Sequence, residues 1–179
     1  FMGTLVSMAI LHDVKIGLFL SILVLPFMPD ELNLIFMFFI FLAFVYRETF
    51  RETNPLTKNP IDMPIALFVI LIIISTITSI NPMGSFRDLA IHLLAISFMF
   101  VMVNSIKDKE ELNILLTILV GTASLVALYG LYQYKVGVEM EAKWLDTSNN
   151  EGITTRVFSV FGNPSILAEY LIMTTPISI

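Results

Sequence analysis

An all-α, polytopic transmembrane helical bundle is the fold class this sequence predicts, and two observations predict it. Hydrophobic residues make up 56% of the 179 and charged residues only 14%, with a mean hydropathy of +0.85. That balance leaves too little polar surface to cover a water-soluble globule. The apolar residues are also gathered into runs long enough to cross a bilayer as helices, separated by short charged or proline-bearing stretches. The chain predicts five to six spans in a single transmembrane domain over residues 1–179. It reads as the N-terminal part of a longer, truncated membrane protein, because its last apolar run, Leu171 to Ile179, has no polar stop.

Taken in order, Ile16 to Met28 is the first and shortest run, with Pro26 near its end. It reads either as a full span or as a re-entrant or interfacial hairpin joined to the next helix through Pro29-Asp30-Glu31. Leu32 to Tyr46 and Leu89 to Val103 must recruit flanking residues to cross. Met63 to Ile80 carries no charge and, at about 18 residues, would reach roughly 27 Å. Leu112 to Tyr134 is longer, and its Gly121, Ser124, Ala127 and Gly130 fall three apart, a stripe that reads as close helix packing. No internal repeat, low-complexity tract or interdomain linker interrupts the series.

Charge fixes an expected orientation. With the N-terminus cytoplasmic, Lys15, Arg47, Arg51, Lys58, Lys107 and Lys109 lie inside and Arg87, Lys135, Lys143 and Arg156 outside. Residues 135–162 then form an external loop, with Trp144 suited to the headgroup layer and a turn at Asn149-Asn150-Glu151-Gly152. A net charge of −5 without any basic cluster argues against nucleic acid as a partner. Cysteine is absent and the two histidines, His12 and His92, lie far apart, so no metal centre or other cofactor is readable.

Two helix starts face the expected outer side. Ser85-Phe86-Arg87-Asp88 has the form of a capping box. At the second, Gly162 gives a turn, Asn163 is a favoured N-cap and Pro164 fits the first helical position. Helix N-termini project backbone donors and a positive dipole end, so both favour an anion. Arg87 in the first turn of one helix and Arg156 just ahead of the other therefore read as two cations gathered on one negatively charged ligand. The plainer reading stays open: Arg87 pairs with Asp88 or reaches the headgroups, and Arg156 is an ordinary loop cation. Glu169 falls in the last helix, where a lipid-facing carboxylate costs about 2–3 kcal/mol. It is expected as a buried polar residue: a general base or a partner for Arg156 or Arg87, or else a neutral residue hydrogen-bonded to another helix. His92 reads first as a packing residue hydrogen-bonded to a neighbouring helix. The acids Glu139, Glu141, Asp146 and Glu151 read as a solvated face, and the Arg47-Glu48 and Lys107 to Glu111 clusters as solvated helix ends with local ion pairs.

Four segments carry a resemblance. Ser79-Ile-Asn81-Pro82-Met-Gly-Ser85-Phe-Arg87-Asp88, Val103-Asn104-Ser105-Ile106-Lys107-Asp108, Ala127-Leu-Tyr129-Gly130-Leu-Tyr132-Gln133-Tyr134 and Arg156-Val-Phe-Ser-Val-Phe161-Gly162-Asn163-Pro164-Ser165-Ile-Leu167-Ala168 together resemble the N-terminal half of bacterial O-antigen ligase and O-antigen polymerase-like membrane proteins. The resemblance runs from about Asp62 onward. It implies a glycosyltransferase of the bacterial cytoplasmic membrane that moves a glycan from an undecaprenyl diphosphate carrier to a lipid or glycan acceptor at the outer face, without a metal. It also implies that Arg156 holds the diphosphate, with Asn163 and Pro164 as the helix-starting end of the motif and Arg87 as a weaker match. Two departures stand against it: Ser165 occupies the position where the motif commonly has a third-place Asn, and the family's large later external loop, with a histidine proposed as base, has no counterpart here. The resemblance therefore makes this chain alone inactive. The rival readings are a membrane transporter, for which Glu169 would serve proton coupling, and a non-catalytic component of surface-polysaccharide assembly.

Overall fold

In a computed structural model, the structure describes residues 2–50, 56–138 and 156–178. Among these residues the fold is all-α, with no strand: α1 (Met2–His12), α2 (Val14–Val24), α3 (Asp30–Phe50), α4 (Asp62–Ile77), α5 (Pro82–Ser105), α6 (Lys109–Val136) and α7 (Pro164–Thr174), followed by a short 3-10 turn at Thr175–Ser178. Three of these helices, α3, α5 and α6, are long and apolar enough to cross a membrane, at 21, 24 and 28 residues. No more than 22% of the apolar window of any of them is buried within the chain, so their outer faces need lipid or other protein against them. This is a membrane protein. The external loop's Trp144, its Asn149 to Gly152 turn and the acids Glu139, Glu141, Asp146 and Glu151 lie outside the described residues.

The boundaries differ from the apolar runs for local reasons. Of the first run, Ile16 to Val24 lies in one short helix, α2, and a second short helix, α1, precedes it. Asp13 separates α1 from α2: its N–H completes α1 on the Ala9 carbonyl at 2.8 Å, and its Oδ1 accepts from the Lys15 N–H at 3.1 Å, capping α2. The same Oδ1 accepts from Arg47 at 3.3 Å, so the arginine expected to pair locally instead ties the α1–α2 break to the end of α3. At 11 residues each, α1 and α2 rise about 16 Å, roughly half the hydrocarbon thickness. α4 stops at Ile77 rather than Ile80. The Thr78 hydroxyl accompanies its own N–H onto the Ile74 carbonyl, and Asn81-Pro82 begins a new helix, a proline that disfavours helix in the residue before it. α3 and α5 extend well beyond their apolar runs. In α3 the extension takes in Asp30 and Glu31 in the first turn and Arg47 in the last, each at the end its charge favours.

The chain falls into two compact units, one comprising Phe1–Ser21 with Pro29–Asp108 and the other Ile22–Met28 with Lys109–Ile179. The first unit has its core where Ile10, Val14 and Leu18 meet Ile40, Ala43 and Phe44 of α3 and Val101 of α5. Gly17 makes this approach possible, since a Cβ there would lie 2.9 Å from Ile40 Cγ1 and 3.1 Å from Ile10 Cγ2. Phe44 and Phe100 meet edge to face at 6.0 Å. Buried Asn104 donates to its own helix at the Phe100 carbonyl, 2.9 Å, while its Oδ1 accepts from the Thr57 N–H at 2.8 Å, fixing the chain ahead of α4 to the end of α5.

In the second unit, α6 buries Leu115, Thr122, Ala123, Val126, Gly130 and Gln133, one helical face at 3.6-residue spacing. The stripe of small residues three apart is not a single face: residues nine apart on an α-helix differ by about 180° in direction. Gly130 accordingly faces packed atoms while a Cβ on Gly121 would meet nothing within 4 Å. Most helical hydroxyls turn back onto a carbonyl of their own helix, as Thr76, Ser97, Thr117, Ser124 and Thr174 do at 2.7 to 2.9 Å. This satisfies them without water, as a lipid-facing helix requires.

Candidate functional site

Gln133 organises the residues around Arg156. It is a polar side chain 5% exposed on the inner face of α6, so its amide needs partners, and its own helix offers none. They come from the segment ahead of α7. Gln133 Oε1 accepts from the N–H of Ser159 at 2.7 Å and of Phe158 at 3.3 Å, and its Nε2 donates to the Ser159 carbonyl at 3.0 Å. The Ser159 hydroxyl completes the clasp by donating to the Val126 carbonyl at 2.7 Å. All these polar atoms are buried or partly buried, where such bonds count for more and unpaired groups cost more.

The backbone pays a conformational toll for the clasp. Ser159 has φ +50°, in the left-handed region that a non-glycine residue rarely occupies. Serine tolerates it here because its hydroxyl is anchored to α6. Gly130 lets the segment lie this close, its hypothetical Cβ falling 3.1 Å from Val157 Cγ1 and 3.8 Å from Ser159 Cβ. The chain then turns, with the Phe161 N–H on the Phe158 carbonyl at 3.1 Å and Gly162 at φ +65°, a conformation glycine adopts without penalty.

Asn163 follows as the N-cap of α7, extended at φ −135° and ψ 121°, its side chain accepting from the Ser165 N–H at 2.9 Å. Pro164, at the first helical position, has no N–H to satisfy, and the Leu167 N–H bonds to the Asn163 carbonyl at 3.2 Å. Of the first-turn donors this leaves the Ile166 N–H without a partner among the described residues, together with the positive end of the helix dipole. Arg156 stands three residues ahead of Ser159, exposed. Behind this turn, Phe161 and Tyr170 bring their rings to 5.2 Å. The Tyr170 hydroxyl and the Thr122 hydroxyl are buried without a hydrogen-bond partner among the described residues.

The other arginine is placed differently. α5 has Asn81, not Ser85, as its N-cap: the Asn81 side chain accepts from the Gly84 N–H at 3.4 Å and Pro82 opens the helix. The capping box therefore does not form. Ser85 lies inside the helix, where its N–H bonds to the Asn81 carbonyl and its hydroxyl donates to Ser79 Oγ at 2.6 Å. Arg87 consequently sits in the second turn rather than the first; it is exposed, and it makes no ion pair with Asp88. Arg87 belongs to the first unit and Arg156 to the second. Glu169, expected as a buried polar partner, is exposed on α7, with no hydrogen bond or ion pair among the described residues.

His92 bonds within its own helix rather than to a neighbour. Its Nδ1 lies 2.7 Å from the Asp88 carbonyl, and since a carbonyl only accepts, Nδ1 carries the proton. The ring lies 6.4 Å from Phe68 of α4. Together with Asp88 it borders an open groove between α4 and α5 whose other polar walls are Ser75, Thr76, Thr78, Ser79 and Ser85. The hydroxyls of Thr76 and Thr78 are spent on their own helix and that of Ser85 on Ser79. No cluster of three metal-ligating side chains occurs among the described residues.

Sequence reasoning missed Gln133 and Ser159 as a unit. The available signal was an amide in the last turn of an apolar helix, which in lipid must find a partner from elsewhere in the chain. No protein-family model, curated protein or solved structure matches this chain at a significant level.

Proposed function

We propose that this chain belongs to a membrane glycosyltransferase of the O-antigen ligase or polymerase type. It would act at the outer face of the bacterial cytoplasmic membrane, with its N-terminus on the cytoplasmic side and five to six spans, the shorter helices making up the count beyond α3, α5 and α6. Its substrate is a glycan on an undecaprenyl diphosphate carrier, and the acceptor is a lipid or a growing glycan. The observation that carries this reading is the pairing of Arg156 with the α7 start. A cation and a helix N-terminus with an unspent donor stand on one short segment, and that segment is pinned to α6 by buried hydrogen bonds. Such a combination suits a phosphate group.

In the reaction, the bond between the anomeric carbon and the phosphate oxygen breaks, and the acceptor hydroxyl oxygen takes its place on the sugar. Undecaprenyl diphosphate leaves with the extra negative charge. Charge-assisted hydrogen bonds from Arg156 strengthen as that charge develops, so they lower the barrier and do more than tighten binding. Asn163, Pro164 and Ser165 serve by holding the helix start. No residue of this chain is assigned as the base that takes the acceptor proton, and no cofactor is called for.

The test is Arg156→Ala in cells that depend on the full protein. Glycan joining is expected to be abolished while membrane insertion and abundance persist. Unchanged product would remove the basis of the proposal.

A further inference from the structure

Within the reading just given, and resting on it, the geometry points to Gln133 as the positioning residue for the diphosphate site, with Gly130 as the clearance that lets it act. Arg156 precedes, by three residues, a backbone position whose N–H, carbonyl and side chain are all bound to α6. An arginine on a free loop samples a wide volume, and ordering it on a ligand costs conformational entropy. Here the ordering is done beforehand by one amide that donates once and accepts twice. An amide is the side chain that offers both functions at this reach without charge. The strain at Ser159 supports the same conclusion: a left-handed serine persists where surrounding bonds over-determine it, and such residues gather where a backbone must be held in one arrangement. Gln133 also ties this segment to α6 and not to its neighbours in sequence, since the paired residues stand 26 apart.

Gln133 touches no substrate in this scheme; it acts through Arg156. Four variants of the full protein, reconstituted in nanodiscs, separate this from a purely structural role. Gln133→Leu keeps the volume and removes the amide. Gln133→Glu keeps the acceptor for the Phe158 and Ser159 N–H groups and loses the donor to the Ser159 carbonyl, unless protonated. Arg156→Ala and the Gln133→Leu/Arg156→Ala double variant complete the set. The readouts are backbone hydrogen exchange and binding of undecaprenyl diphosphate itself, with exchange in α6 and α7 as the folding control.

Gln133→Leu is expected to leave the helices protected while the Phe158 and Ser159 amides exchange at least about tenfold faster, an opening confined to this segment. Its affinity for the diphosphate should fall close to that of Arg156→Ala, and the double variant should be no weaker than Arg156→Ala alone, as expected of two residues acting in series. Gln133→Glu should bind better at pH 5 than at pH 7.5 relative to the wild type, because only the protonated acid can donate to Ser159. Wild-type affinity in Gln133→Leu, with Arg156→Ala weakened, overturns the positioning role and leaves the proposed function standing. Wild-type affinity in Arg156→Ala overturns the function, and the positioning role with it. A double variant weaker than both singles shows that Gln133 does not act through Arg156. Should Gln133→Leu lose its helices, the pH dependence of Gln133→Glu decides alone: no difference from the wild type refutes the inference.

Discussion

The chain begins two helices with the same pair of residues, Asn81-Pro82 at α5 and Asn163-Pro164 at α7, and gives them different surroundings. Both asparagines cap and both prolines occupy the first helical position. At α7 the cap is tight, 2.9 Å to the Ser165 N–H, and the approach to it is held by a buried glutamine. At α5 the cap is loose, 3.4 Å to the Gly84 N–H, and the approach is held by hydroxyls near the surface, Ser79 to Ser85 and Ser79 to the Asn81 N–H. An identical local signal therefore yields a rigid platform in one place and a surface turn in the other. What separates them is Gln133, which holds Ser159 from 26 positions away in sequence, not anything in the capping motif.

That contrast is breakable at several points. The largest expected effect is on activity: Arg156→Ala at the rigid start should abolish glycan transfer, whereas Arg87→Ala at the surface start should leave a measurable rate, both read as product formed at equal protein abundance. Next comes Gln133→Leu against Ser85→Ala. Displacing a reacting or binding group by about 1 Å can cost on the order of a hundredfold in rate, so the first should lose turnover on that scale and the second should lose less than about threefold. Overpacking follows. Gly130→Ala and Gly17→Ala push a Cβ to 3.1 Å from Val157 Cγ1 and 2.9 Å from Ile40 Cγ1, and each should destabilise by about 1–3 kcal/mol, seen as a lower thermal midpoint in detergent. Only Gly130→Ala should also slow transfer. Of the caps, Asn163→Ala should cost about 1 kcal/mol and Asn81→Ala a smaller part of that, given its longer bond. Smallest is Asp13→Asn, which removes the partner of Arg47 in a pair one-third to two-fifths exposed; solvent screening limits its loss to under about 1 kcal/mol.

The sequence made the membrane character and the all-helical architecture legible, because apolar composition and run length follow directly from what lipid demands of a backbone. Helix ends were less so. α4 stops three residues early and α5 starts at Pro82, capped by Asn81, because turn-forming hydroxyls and an Asn-Pro pair outweigh continued hydropathy, and the capping box at Ser85 is a pattern match that the stronger Asn81-Pro82 signal pre-empts. The stripe at Gly121, Ser124, Ala127 and Gly130 shows the cost of reading spacing without direction. At the site, Arg156, Asn163 and Pro164 were visible as residue types suited to an anion and a helix start. Gln133 was not, since an amide in an apolar helix signals that a partner is needed but not which segment supplies it. Only its burial against a distant stretch of backbone shows that.

The buried amide of Gln133 also imposes an order on how the protein is made. α6 leaves the ribosome ahead of the strand of chain that satisfies it, by 26 residues, which at about 5–20 residues per second is roughly one to five seconds of synthesis. Throughout that interval the amide has no protein partner, and sinking it unpaired into hydrocarbon is costly. The last turn of α6 must then either linger at the water boundary or travel with bound water until residues 158 and 159 arrive. Premature release of the nascent chain in that window would strand a finished helix with its amide unsatisfied, for quality control to remove.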